Sequence, residues 1–375
     1  EEGKLVFQAD LPHGKYYIQE VEHKPGYLPN DEVCSFDASY TDQTLELLAF
    51  SEEISNQPTI TEFTKVDLTG GQEIEGAKMQ ILDQEEKVVE EWVSKKEAHV
   101  VYALAPGEYI LHEEQAPTEQ GYVRAEDVKF VVEETGDVQK VKMEDDHTKV
   151  SISKTDITDG KEIEGAKLQI LDQDGEVVES WTTGEEHLIE YLPVGTYTLH
   201  EEAAVDGYIV ANDVEFTVEE TGEIQKVKME DERAMGQLVI VKTDTDSKAA
   251  LEGVEFVLLE KETGKEVGRL KTGKDGKAVS ELLPIGTYEN GVFKEPITYV
   301  LKETATLKGY EKTEEEWEIV FTYQNDKTPV IEVVKEIQNK KIPETPGTVK
   351  PGPKTGDDTN WFLPLLALGV SAGMV

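Results

Sequence analysis

The chain has 375 residues, which is too many for one compact core and suits three or four modules of ordinary domain size. Acidic residues outnumber basic ones by 79 to 37, and the net charge of −42 disfavours binding to nucleic acid or to anionic membranes. Cys34 is the single cysteine, so the sequence excludes an intrachain disulfide and gives no thiolate signal for a zinc or redox site.

Internal repetition organises the chain. The segment QEIEGAKMQILD at 72–83 recurs as KEIEGAKLQILD at 161–172, and a weaker copy begins at Leu251. A Pro-Gly-Tyr turn also recurs once in each unit, and its tyrosines are Tyr16, Tyr109, Tyr197 and Tyr288. We therefore expect four modules, the first incomplete, at 1–57, 58–146, 147–235 and 236–342.

Within the modules, short runs of β-branched and aromatic residues alternate with polar residues and are separated by Gly, Asp, Asn and Pro. Examples in chain order are Val150–Ser153, Tyr197–His200 and Val214–Val218. Alternation with a period of two is typical of strands with one buried face, and no sustained helical period appears. The sequence therefore predicts an all-β fold of tandem immunoglobulin-like sandwiches in a linear array.

Strand parity places polar side chains on the core face of these strands, because residues i, i+2 and i+4 point the same way. In the third module Lys154 shares a face with Val150 and Ile152, which are apolar. A glutamate in a middle strand and an Asp or Asn in the last strand behave in the same way. The predicted sets are Lys65, Glu113 and Asp145; Lys154, Glu201 and Asp231; and Lys242, Glu303 and Asn339.

One of these sets has two candidate aspartates, and the first module has only part of a set. Asp146 competes with Asp145 for the last position of the second set, and parity favours Asp145. The first module keeps Glu20 and Asn56 in the corresponding positions, and its lysine is expected upstream of residue 1. The sequence also opens without a signal peptide, so we expect a fragment that has lost its start.

A covalent bond between the lysine and the Asp or Asn would remove charge from the core and so explain why these residues recur there. Burying an unpaired charge costs several kcal/mol, and a buried ion pair often only breaks even. A desolvated, neutral lysine is a nucleophile that can attack the Asp or Asn carbon while a protonated glutamate polarises the carbonyl and shuttles protons. The alternative is an ordinary salt bridge or a side chain that reaches solvent at a strand end. Repetition in three complete modules favours the cross-link.

The modules resemble the Cna protein B-type, or SpaA-like prealbumin-fold, domains of Gram-positive adhesins and pilins. The motifs that carry the resemblance are the ISKTD strand at 152–156, the EGAK strand, the L-P-x-G-x-Y turn and the YILHE box at 109–113 that precedes Gly-Tyr. The resemblance covers residues 1 to 342 and implies prealbumin-like (transthyretin-like) sandwiches. It also implies that the lysines and the Asp or Asn residues form isopeptide bonds, catalysed by the glutamates.

The C-terminal part changes character. A Pro-rich linker is predicted at 343–360, and it contains Pro353, Lys354, Thr355 and Gly356, followed by an apolar run at 361–375. This arrangement resembles a sortase sorting signal of the LPxTG type, with cleavage between Thr355 and Gly356 and with Gly352 replacing the usual leucine. The apolar run is shorter than the about 20 residues that span a bilayer, which is consistent with a truncated membrane segment.

These patterns predict a structural stalk of a cell-wall-anchored surface adhesin or pilin-like protein, secreted by a Gram-positive bacterium. Its partners would be sortase and peptidoglycan, and a host or matrix ligand through a region upstream. No turnover enzyme, cofactor or metal site is expected, since no catalytic motif beyond the lysine sets appears. Two alternatives are a polymerising pilin subunit and the spacer of a surface hydrolase whose catalytic domain lies upstream.

Overall fold

The computed structural model describes residues 4–39 and 47–344. In these ranges the chain consists of β-strands and loops, with one 3₁₀ turn at Thr118–Gln120 and no α-helix. No helix of the described part is long and apolar enough to cross a membrane. The predicted sorting motif and apolar run lie outside these ranges. The all-β fold class predicted from the alternating pattern is confirmed.

The N-terminal part contains one antiparallel pair of strands. Strand β1 (Gly14–Gln19) pairs with β2 (Val33–Ala38), and Tyr16 stacks on Phe36 across the pair with ring centroids 5.5 Å apart. Cross-strand aromatic pairs of this kind stabilise a two-stranded sheet.

The second unit is a sandwich of two four-stranded sheets. One sheet has the order β6-β3-β10-β8 and the other has the order β5-β4-β7-β9. The strands are β3 (Ile60–Asp67), β4 (Lys78–Leu82), β5 (Val88–Val93), β6 (His99–Tyr102), β7 (Gly107–Gln115), β8 (Tyr122–Val123), β9 (Val128–Val132) and β10 (Val138–His147).

The third unit repeats this topology strand for strand. Its sheets have the orders β14-β11-β18-β16 and β13-β12-β15-β17. The strands are β11 (Lys149–Asp156), β12 (Lys167–Leu171), β13 (Val177–Thr182), β14 (His187–Glu190), β15 (Gly195–Ala203), β16 (Tyr208–Ile209), β17 (Val214–Val218) and β18 (Ile224–Arg233).

The fourth unit keeps the same plan and adds a hairpin. One sheet contains β22, β19, β23 and β28, the other has the order β21-β20-β26-β27, and β24 pairs with β25. The strands are β19 (Met235–Asp244), β20 (Glu255–Glu260), β21 (Glu266–Lys271), β22 (Lys277–Val279), β23 (Leu283–Pro284), β24 (Gly286–Glu289), β25 (Val292–Pro296), β26 (Thr298–Ala305), β27 (Glu316–Val320) and β28 (Val330–Asn339).

The first and last strands of each complete unit lie side by side and run parallel, as β3 with β10, β11 with β18 and β19 with β28. Every other strand pairing in the described residues is antiparallel. Each complete unit has its own core between its two sheets, because alternate residues of facing strands are apolar.

The second, third and fourth units follow one another without a linker. Thr148 is the single residue between β10 and β11; its N–H donates to the Gly121 carbonyl at 2.8 Å and its hydroxyl to the Leu192 carbonyl at 2.6 Å. Gly121 has φ of 79° and meets the Tyr191 backbone, so a side chain there would clash. The Tyr191 hydroxyl also donates to Asp67 at 2.8 Å. This joint is therefore closely packed.

Candidate isopeptide-forming sites

Each complete unit buries a lysine on its first strand. Lys65, Lys154 and Lys242 are 4%, 1% and 0% exposed, although lysine is almost never fully buried without a partner. The lysine side chains point inward because they lie on the same face of the strand as apolar residues. Lys154, for example, follows Ile152 by two positions on β11. Each ammonium group therefore needs a partner inside the sandwich.

In the third unit the partners come from two different sheets. Lys154 Nζ contacts Asp231 Oδ1 on the neighbouring strand β18 and lies 3.0 Å from Glu201 Oε2 on β15 of the facing sheet. The N–H of Ala211 donates to the same Glu201 oxygen at 2.6 Å, which fixes the carboxyl group in place. Asp231 is 0% and Glu201 1% exposed, so water does not compensate these charges.

The second unit repeats the arrangement. Lys65 Nζ contacts Asp145 Oδ1 and lies 2.9 Å from Glu113 Oε2, which also accepts the Ala125 N–H at 2.8 Å. Asp146 points away from this site and instead accepts from Lys149 Nζ at 2.6 Å. The structure thus brings together the three residues that parity selects and leaves Asp146 outside.

The fourth unit has an amide in place of the second carboxyl group. Lys242 Nζ donates to Asn339 Oδ1 and lies 2.9 Å from Glu303 Oε2. Asn339 Nδ2 donates to Glu303 Oε1 at 2.7 Å and to Thr306 Oγ1 at 2.7 Å. Burial lowers the pKa of the Lys242 ammonium, against the opposing effect of Glu303, which favours the neutral amine.

Burial also shifts the pKa of the aspartates. It raises the pKa of Asp145 and of Asp231 to about 7; the neighbouring lysine opposes this shift, and the neighbouring glutamate adds to it. Glu113 Oε1 and Asp145 Oδ2 are both buried without a hydrogen-bond partner among the described groups, as are the corresponding oxygens of Glu201 and Asp231. A proton shared between the two carboxyl groups satisfies both oxygens, because a protonated carboxyl group donates where a carboxylate only accepts.

A β-bulge beside each glutamate is a feature that strand parity does not reveal. On β15 the register shifts so that Leu168 faces Glu201 while Lys167 faces Ala203, which leaves Glu202 as an extra, exposed residue. The same shift occurs next to Glu113 and Glu303. The buried residues Glu113 and Ala116 are therefore three positions apart, where strict alternation would place them two or four apart.

The first unit has an incomplete version of the site. Asn56 Nδ2 donates to both oxygens of Glu20, at 2.7 and 2.9 Å, and the Asn30 N–H donates to Glu20 at 3.1 Å. The predicted pair therefore lies together. The predicted sortase residues Pro353, Lys354, Thr355 and Gly356 lie outside the described residues.

An open cleft leads to the second site. It has a volume of about 570 Å³ and lies between the edges of the two sheets, where Lys65 forms part of its wall beside Phe63, Trp92 and His99. Among residues 4–39 and 47–344, no cluster of His, Cys, Asp and Glu has an arrangement that could hold a metal ion.

Comparison with solved structures gives several similar chains. The TIE protein of Bacillus anthracis is 26% identical with a TM-score of 0.52, over 83% of this chain and 55% of that one. BcpA, the major pilin subunit of Bacillus cereus, is 15% identical with a TM-score of 0.43, over 76% and 99%. A streptococcal ancillary pilin is 16% identical with a TM-score of 0.31, over the same shares.

The chain spans about half the length of the TIE protein, at 55%. No curated protein matches the sequence at a significant level. A family model of the SpaA prealbumin-like fold domain matches three consecutive segments, at 59–147, 148–233 and 236–296. Together these segments make up more than half of the chain, which therefore belongs to the SpaA family of prealbumin-like fold domains.

Proposed function

We propose that this chain is a stalk segment of a Gram-positive surface protein, stiffened by isopeptide bonds that its modules form within themselves. The bonds join Lys65 to Asp145, Lys154 to Asp231 and Lys242 to Asn339. The modules are 58–146, 147–235 and 236–342, after a partial module at 1–57. Sortase attaches the stalk to peptidoglycan through the motif Pro353, Lys354, Thr355 and Gly356 in the linker 343–360, ahead of the apolar segment 361–375.

The observation that carries the proposal is the threefold recurrence of a buried lysine in contact with a buried Asp or Asn and a buried glutamate. A salt bridge at this depth loses much of its Coulomb energy to desolvation, so it gives little reason to recur. An amide bond removes the charges and leaves a neutral group suited to the core. The aspartate carboxyl groups, with pKa of about 7, are available in the protonated form that condensation requires.

The chemistry begins when the ammonium group passes a proton to the carboxyl pair, which burial favours because it replaces charges by neutral groups. The neutral Nζ then attacks Cγ of Asp231, and Glu201, 3.0 Å from Nζ, moves the protons. A C–N bond forms, the C–O bond of the leaving hydroxyl breaks, and a water molecule departs. At Asn339 the leaving group is ammonia. Each site acts once, since its product is part of the chain.

The bonds would stabilise the modules by constraining the unfolded chain. They close loops whose ends lie 80, 77 and 97 residues apart. Loop-closure entropy for cross-links of this span stabilises by about 4 to 5 kcal/mol each. A chain whose only cysteine is Cys34 gains in this way a constraint that disulfides provide elsewhere.

Intact-mass spectrometry of the full chain under denaturing conditions tests the proposal. The expected mass lies below the sequence mass by two water molecules and one ammonia, and protease digests yield branched peptides that join the three residue pairs. A chain at its full sequence mass contradicts the cross-links. If the mass falls by only part of this amount, the missing branched peptide identifies the module that has failed to react.

A further inference from the structure

The residue that follows the middle strand differs between the two kinds of site. Three residues after the glutamate, the fourth unit has Thr306, whereas the second and third have Ala116 and Ala204. Thr306 comes directly after β26, just as the alanines come directly after β7 and β15, so the three residues occupy equivalent positions. The position thus pairs threonine with the asparagine site and alanine with the aspartate sites.

The hydrogen bonds of Asn339 explain this difference. Its Oδ1 accepts from Lys242, and its two N–H groups reach Glu303 Oε1 and Thr306 Oγ1, each at 2.7 Å. In this orientation the oxygen and both N–H groups of the Asn339 amide have hydrogen-bond partners. Turning the amide over would set its NH₂ group against the lysine ammonium, where donor meets donor.

An aspartic acid at this position requires fewer hydrogen-bond acceptors than an asparagine. A protonated carboxyl group has one O–H donor, and Glu113 or Glu201 accepts it, so no second acceptor is required. Asp145 Oδ2 and Asp231 Oδ2 have no other partner among the described groups. Ala116 is 2% exposed and offers only a methyl group, which adds no hydrogen bond that would stabilise the charged carboxylate.

We propose that Thr306 is a positioning residue that fits the fourth site to asparagine, and that Ala116 and Ala204 fit the second and third sites to aspartate. The proposal rests on the proposed function, because it concerns the rate of the same condensation. These roles belong to the three sites that contain a lysine. In the first unit His23 holds the equivalent position, and its ring lies 2.8 Å from Glu134.

The role follows from the course of the reaction. Lys242 Nζ passes its ammonium proton to Glu303, 2.9 Å away, and the neutral Nζ attacks Cγ of Asn339 to form the new C–N bond. Glu303 delivers that proton to Nδ2 and takes a second proton from Nζ as the bond from Cγ to Nδ2 breaks. The departing nitrogen gains positive charge before it leaves as ammonia. Thr306 Oγ1 already accepts from Nδ2 at 2.7 Å and stabilises that charge, while it also keeps Oδ1 turned toward the lysine.

The test follows amide formation in the full chain. The chain is synthesised in a cell-free reaction and quenched in denaturant at intervals, and the branched peptide of each module is quantified by mass spectrometry. T306V keeps the shape of the side chain and removes its oxygen; it slows formation of the Lys242–Asn339 bond by about tenfold, the effect of one lost hydrogen bond. T306S keeps the hydroxyl group and retains most of the rate.

Two further variants separate positioning from general stability. N339D reacts slowly beside Thr306, because the hydroxyl group donates to the carboxylate and favours its charged form, and adding T306V restores the rate with loss of water. The second and third modules of each variant serve as internal controls and react at the unsubstituted rate. A hydrogen-exchange measurement on the fourth module verifies that T306V leaves it folded.

Three results would overturn the inference: an unchanged rate in T306V, no difference between T306V and T306S, or a rate of N339D that is insensitive to T306V. Failure of the proposed function looks different. In that case the unsubstituted chain forms no amide in any module, and the variants have nothing to change.

Discussion

Asp231 lies two residues beyond Met229, which is the register partner of Lys154 on the parallel strand β11. The same offset relates Asp145 to Lys65 and Asn339 to Lys242. Because the two strands are parallel and neighbouring, side chains at this offset share a face and meet diagonally. The contact therefore follows from the register of the two strands, and the fourth unit keeps this register despite the added hairpin of β24 and β25.

The first prediction concerns Glu201. E201Q removes the acid and retains the side-chain shape, so the Lys154–Asp231 amide is expected to form at least 100-fold more slowly, as is typical for loss of a general acid–base group. The mass of the chain then rises by about one water molecule. The matched control is E202Q at the exposed bulge residue beside it, which is expected to form all three amides as the unsubstituted chain does. Equal masses for the two variants would contradict the role of Glu201.

The second prediction concerns stability. K154M leaves the third module without its cross-link and is expected to lower its free energy of unfolding by about 4 to 5 kcal/mol, since a loop of 77 residues is no longer closed. For a module of this size the midpoint falls by roughly 20 °C or more. Calorimetry and protease resistance measure the change, with K161M at an exposed position as control. A midpoint that stays with the control argues against a covalent bond.

The third prediction concerns pH. In the reactive state of the second and third sites the lysine amine is neutral, and the two carboxyl groups together hold two protons. The aspartate pKa is about 7, so this state is populated below pH 7 and declines as pH rises through it. Chain captured unfolded and refolded across this range is expected to form these amides up to about tenfold more slowly per pH unit above 7. Asn339 does not titrate, so the rate of the Lys242–Asn339 bond relative to the other two rises with pH.

The fourth prediction concerns the joint between the second and third units. Y191F removes the hydrogen bond from the Tyr191 hydroxyl to Asp67. Burial alone would raise the pKa of Asp67, but hydrogen bonds from Thr69, Gly70 and Tyr191 together hold that pKa below its usual range. The substitution is expected to weaken the joint by about 1 kcal/mol. Small-angle scattering and fluorescence transfer between labelled units measure the added bending. Y102F, on a largely exposed tyrosine, is the control and leaves the bending unchanged.

The fifth prediction concerns the linker. Sortase is expected to cleave between Thr355 and Gly356 and to join Thr355 to peptidoglycan. T355A blocks this step, and wall fractions then lack the protein, while T359A behaves like the unsubstituted chain. Wall attachment that survives T355A would remove the proposed anchor and leave the cross-links untouched.

Strand parity predicted the all-β fold and the groups that meet in each core, because a period of two directly assigns side chains to a face. It also selected Asp145 over Asp146, and the structure places only Asp145 against Lys65. The cross-linking role of these residues stays a prediction until the mass is measured.

Other features depend on contacts that sequence spacing does not encode. The bulge beside Glu201 changes the parity in mid-strand, and the backbone N–H of Ala211 reaches the glutamate from a loop. Thr306 contacts Asn339 across 33 residues, and only the folded arrangement brings them together. A comparison of the three copies would have pointed to position 306, but a single module would not.

In the proposed stalk, the parallel pairing of first and last strands decides how a pulling force passes through each module. A single residue connects the third unit to each of its neighbours: Thr148 precedes β11, and Ala234 follows β18. With the amide formed, tension enters at Lys149, crosses from Lys154 to Asp231 and leaves at Ala234. The long stretch between the linked residues then bears no load, and the module transmits tension without lengthening.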